Sequence, residues 1–205
     1  RAIVGRMVGA AGVIGLAAGA DPATAATFFV RFSAFVPQSV AGASEPRSDI
    51  PGDNAAYSSA HVHRHADLLR EGFWEVEFHR RFAQEGLRLE LLHGAPATMV
   101  GPVRFATVVR QRFAHAAEFG FSRVRRHGES PLRLMLAAPL VPAVLVARTA
   151  RRVLRWAPYR RPFLTALPWL AVLASAWALG EAWGASRATS GATSGATSGG
   201  AEATP

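Results

Sequence analysis

An uncharged run of 18 residues, from 163 to 180, constrains this chain more than any other feature. Trp169 and Trp177 lie inside the run and Trp183 just beyond it. Its length is borderline for crossing a bilayer core of about 30 Å, so it belongs in lipid or in a protein core. It closes a strongly apolar region, residues 131–184, that is interrupted by arginines. Upstream, residues 134–147 are apolar for 14 residues and contain Pro139 and Pro142. At 1.5 Å per helical residue they reach only about 21 Å, short of a span. Between the two runs, Arg148, Arg151, Arg152 and Arg155 fall at i, i+3, i+4 and i+7, one basic helical face, followed by Arg160 and Arg161. Ala147, Ala150, Val153 and Leu154 stand opposite. If both runs crossed, the arginine loop and the preceding residues would sit on opposite sides, which the positive-inside rule resists. The expected arrangement lays the first run and the arginine helix in the interface and inserts at most the second. The alternative is a buried helical hairpin of a soluble domain.

The 205 residues hold 23 basic and 14 acidic side chains, no cysteine and 50% apolar residues. That is enough chain for one domain with an appendage, and too apolar for a wholly disordered protein. Without cysteine there is no disulfide scaffold and no thiolate-ligated zinc or iron–sulfur site. All 23 basic residues are Arg, which in an Ala- and Gly-rich chain reads as coding bias, so no single arginine counts as a signal. The net charge of +9 still favours anionic partners.

Composition predicts three parts: a soluble α/β region over residues 1–128, a membrane-associated helical segment over 129–185, and a disordered tail over 186–205. The tail repeats Ala-Thr-Ser-Gly and has little to bury. The chain begins at Arg1, which reads as a piece of a longer protein or a processed product. Residues 1–20 superficially resemble a signal peptide, but Gly5, Gly9, Gly12, Gly15 and Gly19 each weaken a helix by roughly 1 kcal/mol. Ala2-Ile-Val-Gly instead reads as a short strand. A helix is predicted from Pro22 to Phe35 with Asp21 as its N-cap, then a loop over 39–51. Ser58 or Ser59 caps a helix reaching Arg70, and a second runs from Trp74 to Glu85 with Gly86 closing it in the left-handed conformation. Residues 87–92 alternate as a strand does, and residues 104–121 return to helical spacing. Strands alternating with helices predict an α/β fold.

Three constellations carry chemistry. Pro51-Gly-Asp-Asn-Ala-Ala-Tyr-Ser is a tight polar turn entering a capped helix. It reads either as ordinary turn chemistry or as a loop that sets Asp53, Asn54 and backbone N–H groups beside a ligand. Gly72-Phe-Trp-Glu-Val-Glu-Phe-His-Arg-Arg puts Glu75 and Glu77 near a helix start, about 200° apart, so they do not form a facing pair. One can face a cleft while the other meets Arg80 or Arg81. His61 and His65, at i and i+4, suit a metal geometrically, but Asp67 falls on another face; they read as solvated helix residues.

Taken in order, residues 51–58, Gly72-Phe-Trp-Glu-Val-Glu-Phe-His-Arg-Arg-Phe, Glu85-Gly-Leu-Arg-Leu and Val109-Arg-Gln-Arg-Phe resemble the second half of family 2 glycosyltransferases. Ile3-Val-Gly-Arg-Met-Val is similar to that family's Val-Gly-Gly-x-Val strand. The resemblance implies a GT-A-like (Rossmann-like) domain, here its acceptor-side half. It implies transfer of a sugar from a nucleotide-sugar donor to a lipid-linked or envelope glycan acceptor at the cytoplasmic face of the cell membrane. It puts the general base on Glu75, the second acid on Glu77 and the motif arginine on Arg81. Trp74, Asp53 and Asn54 fall on the acceptor side, with Arg110 and Arg112 available for the departing diphosphate. The base is Glu where the family has Asp, the strand-end His is absent from residues 95–101, and no Asp-x-Asp occurs. The divalent Mg or Mn that the family uses therefore has no ligands among these residues, and the chain alone is expected to be inactive.

The chemistry is consistent with the assignment, because inverting transfer needs a carboxylate to take the acceptor hydroxyl's proton. Membrane lipids are the expected further partner. Nucleic acid is not, because the arginines adjoin Pro-broken apolar runs rather than a stacking platform. The rival reading is a non-enzymatic, basic membrane-binding module in which Glu75 is only a helix-start charge.

Overall fold

The computed structural model describes residues 6–37, 44–70 and 75–193. The fold is mixed α/β, with a four-stranded mixed sheet and a long apolar C-terminal helix. By its contacts the chain forms two compact units, one of residues 1–18 and 32–100 and one of residues 19–31 and 101–205. The composition boundary near residue 128 is therefore not where contacts divide the chain. Residue 100 is, and an N-terminal helix joins the second unit.

The first unit is built on strand β1 (Met7–Leu16), which the next unit's first helix follows in sequence. β1 pairs in parallel with β4 (Arg88–Met99) and antiparallel with β3 (Ala55–Tyr57), while β2 (Ser44–Arg47) pairs antiparallel with the other edge of β4. The spatial order is β2-β4-β1-β3. The region expected to be a strand at Ala2 lies outside the described residues. The glycines that argued against a signal helix have a use in β1. A Cβ at Gly12 would land on the Ala95 carbonyl and the Asn54 amide, so only glycine lets that turn close on the strand. β4 is longer than the alternation over 87–92 predicted, because residues beyond 96 resume pairing with Ile14, Gly15 and Leu16 after an irregularity in register. The expected loop over 39–51 contains β2.

Helices α2 (Ser59–Arg64), α3 (Ala66–Arg70) and α4 (Glu75–Gln84) complete this unit. The single helix predicted to reach Arg70 is thus broken at His65. Ser58 holds the N-cap position of α2, but its hydroxyl meets His61 Nδ1 at 3.0 Å rather than a backbone N–H. Gly86 follows α4 at φ +71°, the left-handed stop expected of it. Phe78 and Phe82 from α4 bury themselves with Val8, Ala11, Ile50, Leu68 and Leu89, joining helix to sheet in one apolar cluster.

The second unit holds α1 (Pro22–Phe32), α5 (Phe105–His127), α6 (Pro131–Ala137), α7 (Val141–Val153) and α8 (Ala157–Thr193). Asp21 caps α1, its Oδ1 accepting the N–H groups of Ala23 and Thr24 at 3.0 Å each. Phe28 and Phe29 of α1 meet Tyr159, and Phe29 also meets Phe163, both on α8. α5 and α8 approach through small residues: a Cβ at Gly184 would fall on the Ala117 carbonyl, and one at Gly120 on that of Glu181. Arg123 ties the pair by meeting both Glu129 and Glu181.

The expected disordered tail from 186 begins as helix instead. α8 runs to Thr193 and Ala188 is buried, so packing holds a small residue that composition assigned to the tail. Residues 157–189 of α8 are long and apolar enough to cross a membrane, although 44% of the most apolar window is buried within the protein, as in a core helix. α6 and α7 pass the same test only as a pair bent by 68°.

Candidate functional site

Three elements of the first unit bring ionisable groups together around the turn at residues 52–54. That turn is a short 3₁₀ helix, Gly52–Asn54, held in place when the Asn54 Nδ2 donates to the Ala95 carbonyl of β4 at 3.1 Å. Glu75 opens α4 and turns its carboxylate onto Gly52, whose backbone N–H donates to it. A Cβ at residue 52 would occupy the place of that carboxylate, so glycine is required for this approach. Burial pushes the Glu75 carboxyl above the ordinary carboxylate range, and the charges of Asp53 and Asp49 push the same way; His79 and the Gly52 N–H oppose them.

One turn further along α4, His79 is buried and spans two other elements. Its Nδ1 lies 2.6 Å from Asp49 Oδ1 and its Nε2 2.8 Å from the Tyr57 hydroxyl. A carboxylate only accepts, so the Nδ1–H donates to Asp49 and, in the neutral ring, Nε2 accepts the Tyr57 O–H. The Tyr57 hydroxyl is held in its protonated form, its pKa raised by burial and then by the charges of Glu75 and Asp49. An exposed carboxylate, a buried imidazole and a half-buried phenol thus form one hydrogen-bonded chain beside Glu75. A carboxyl whose pKa is raised by burial and which a backbone N–H fixes at a turn edge has features that a general base uses.

The residues singled out from sequence separate into three groups. Glu75, Asp53 and Asn54 converge at the turn, with Asn54 serving as its pin. Glu77 and Arg81 do not join them: Glu77 pairs with Arg80 at 3.0 Å, and Arg81 with Asp67 at 2.7 Å. Trp74 lies outside the described residues. Arg110 and Arg112 belong to the second unit, where Arg110 is exposed on α5. Arg112 lies over the Trp177 ring, 4.1 Å from its centroid, and its Nε has no hydrogen-bond partner among the described residues. Burial, and then the charge of Arg31, lower its pKa to about 10. Arg31, Gln111, Arg112, His115 and Glu118 line a cavity of about 570 Å³ there.

His61 and His65 correct the expectation of solvated residues, since each is 7% exposed. His65 sits 2.8 Å from Glu85 and against Phe78 and Phe82, and His61 packs on Phe82. Among the described residues no three His, Asp or Glu side chains are grouped as a metal requires. Sequence reasoning passed over Asp49, Tyr57 and His79. The i, i+4 spacing of His79 from Glu75 was the available signal, because it places both on one helical face.

No family model, curated protein or solved structure matches the chain.

Proposed function

We propose that the first unit is the acceptor-side half of a GT-A-like family 2 glycosyltransferase. In this reading it transfers a sugar from a nucleotide-sugar to a lipid-linked or envelope glycan at the cytoplasmic face of a membrane. The observation that carries the proposal is Glu75. Its carboxylate is raised by burial, bonded to the Gly52 N–H and adjacent to the turn where the motif resemblance expects the acceptor. Glu75 takes the proton of the acceptor hydroxyl as oxygen attacks the anomeric carbon, and the bond to the nucleotide diphosphate breaks with its electron pair leaving on the phosphate. The Asp49–His79–Tyr57 chain holds the wall against which Glu75 lies.

The test is a transfer assay in the protein that includes the donor-binding half. Glu75→Gln keeps shape and hydrogen bonding but accepts no proton, so kcat falls by about 10²- to 10⁴-fold while donor binding is unchanged. Glu77→Gln costs less, because Glu77 is engaged with Arg80. Normal turnover by Glu75→Gln overturns the assignment. Metal-dependent transfer by residues 1–205 alone overturns the account of a missing donor half.

A second reading, a basic membrane-binding module, draws on the arginines of α7. It predicts vesicle binding with no transfer activity under any donor.

A further inference from the structure

Between residues 131 and 180 the chain carries seven arginines and not one acidic residue. Four of them, Arg148, Arg151, Arg152 and Arg155, line a cavity of about 390 Å³ together with Val144. All five lining residues come from α7 and its end, so the space is an open cleft, and none of them is acidic. The arginines span the eight residues 148–155, the end of α7 and the turn after it, so the stripe extends about 10 Å. One phosphate engages neighbouring guanidiniums by bidentate bonds but does not reach both ends of such a stripe.

Exposed apolar residues precede the arginines in the chain. Leu132, Leu136, Leu140 and Val144 are 64%, 72%, 68% and 60% exposed, a run of large side chains over α6 and the start of α7. Val144 belongs to both surfaces: it ends the apolar run and lines the arginine cavity. Exposed leucines next to clustered guanidiniums match the two layers of a membrane interface, acyl chains beside phosphates.

We infer that Arg148, Arg151, Arg152 and Arg155 form a headgroup site at the C-terminal end of α7 and just beyond it for an anionic membrane lipid carrying two phosphates, with Leu136, Leu140 and Val144 entering the acyl layer. The stripe's length accommodates paired phosphates, and the exposed leucines that precede it in the chain favour a lipid over a soluble anion. The site is independent of Glu75, and its test reads binding rather than turnover.

The experiment measures binding of the full chain to phosphatidylcholine vesicles containing cardiolipin, whose headgroup carries two phosphodiesters. The reference vesicles carry twice the mole fraction of phosphatidylglycerol, which matches the surface charge. Tighter binding to the cardiolipin vesicles is expected, and equal binding overturns a discrete site in favour of diffuse electrostatics. Arg148→Gln with Arg151→Gln should weaken cardiolipin binding about 30-fold, from about 1 kcal/mol per surface arginine. Arg125→Gln with Arg161→Gln removes the same charge from exposed positions outside the cavity, and should change binding by less than about threefold. Equal losses in the two pairs, or none in the first, overturn the site. Inorganic pyrophosphate at millimolar concentration should displace the protein from cardiolipin vesicles. If it binds in solution more tightly than the vesicles do, the lipid assignment is overturned.

Discussion

The two units treat charge in opposite ways. In the sheet-bearing unit acids and bases meet: Arg81 with Asp67 at 2.7 Å, Arg88 with Glu90 at 3.0 Å, His79 with Asp49 at 2.6 Å. In the helical unit Arg123 gathers Glu129 and Glu181, and the chain then offers no acid over residues 131–180. The exposed Arg81–Asp67 pair serves mainly to hold geometry, whereas the His79 that meets Asp49 is buried. The contrast indicates where ligands belong. In the sheet-bearing unit the informative group is Glu75, raised by burial and held by a backbone N–H. In the helical unit it is a group of guanidiniums lining a cavity without a carboxylate.

The units also pack differently, and the largest expected effects test that difference. The sheet-bearing core is aromatic: Phe82 is 0% exposed and touches Phe78, Tyr57, His61 and His65. Phe82→Ala removes a side chain that nothing nearby can replace, at a cost of about 3–5 kcal/mol. Denaturant unfolding measures it, and amide exchange should show the loss in β1, β4 and α4. A cost under about 1 kcal/mol would mean that the cluster collapses around the void.

The helical unit fails in the opposite direction, by overfilling. Its α5–α8 contact depends on absent side chains, and Gly184→Val drives a branched side chain into the Ala117 backbone. Overpacking of this kind costs about 1–3 kcal/mol, read as a lower Tm. Gly94→Ala is the control, because a Cβ there meets nothing within 4 Å. Equal losses in the two variants would remove the close approach as the cause.

What the sequence made legible follows from the range over which each signal acts. Asp21, Pro22, Gly86 and the alternation after Leu87 act within a few residues, and the elements they predict are present. Glu75 and the 52–54 turn were found as ordered motifs, and they do meet. The Asp49–His79–Tyr57 chain escaped because it joins a loop, a helix and a strand that only the fold brings together. His65 was misjudged for the same reason: its partners Phe82 and Glu85 lie on α4 and in the turn that ends it. Ala188 looks featureless in sequence, yet it is buried within α8. The division of contacts at residue 100 has no composition signal, because it depends on contacts between distant segments.

The smallest effects have opposite signs in the two units, and pH separates them. Asp21, in the helical unit, has its carboxyl held below the ordinary value of 3.8, first by the Thr24 hydroxyl and then by the Thr24 N–H. A depressed folded value means the ionised cap stabilises above pH 3.8, and its contribution is lost as pH falls through the folded value. Asp21→Ala should therefore cost about 1 kcal/mol or less at neutral pH, given the exposure of the cap, and less in strong acid, where the neutral carboxyl accepts the same N–H groups more weakly. Glu75, in the sheet-bearing unit, is raised above its ordinary value of 4.5, chiefly by burial. A raised folded value means the neutral form is favoured by the fold. The penalty for ionising it is absent below pH 4.5 and develops as pH rises through the folded value. Glu75→Gln removes that penalty, so the variant should melt higher than the parent at pH 7 and match it below pH 4.5. A helix-start charge kept for the α4 dipole predicts the reverse, a variant less stable at neutral pH. Thermal melts of the two variants across pH thus distinguish a capping carboxylate from one retained at a cost in stability, as a general base is.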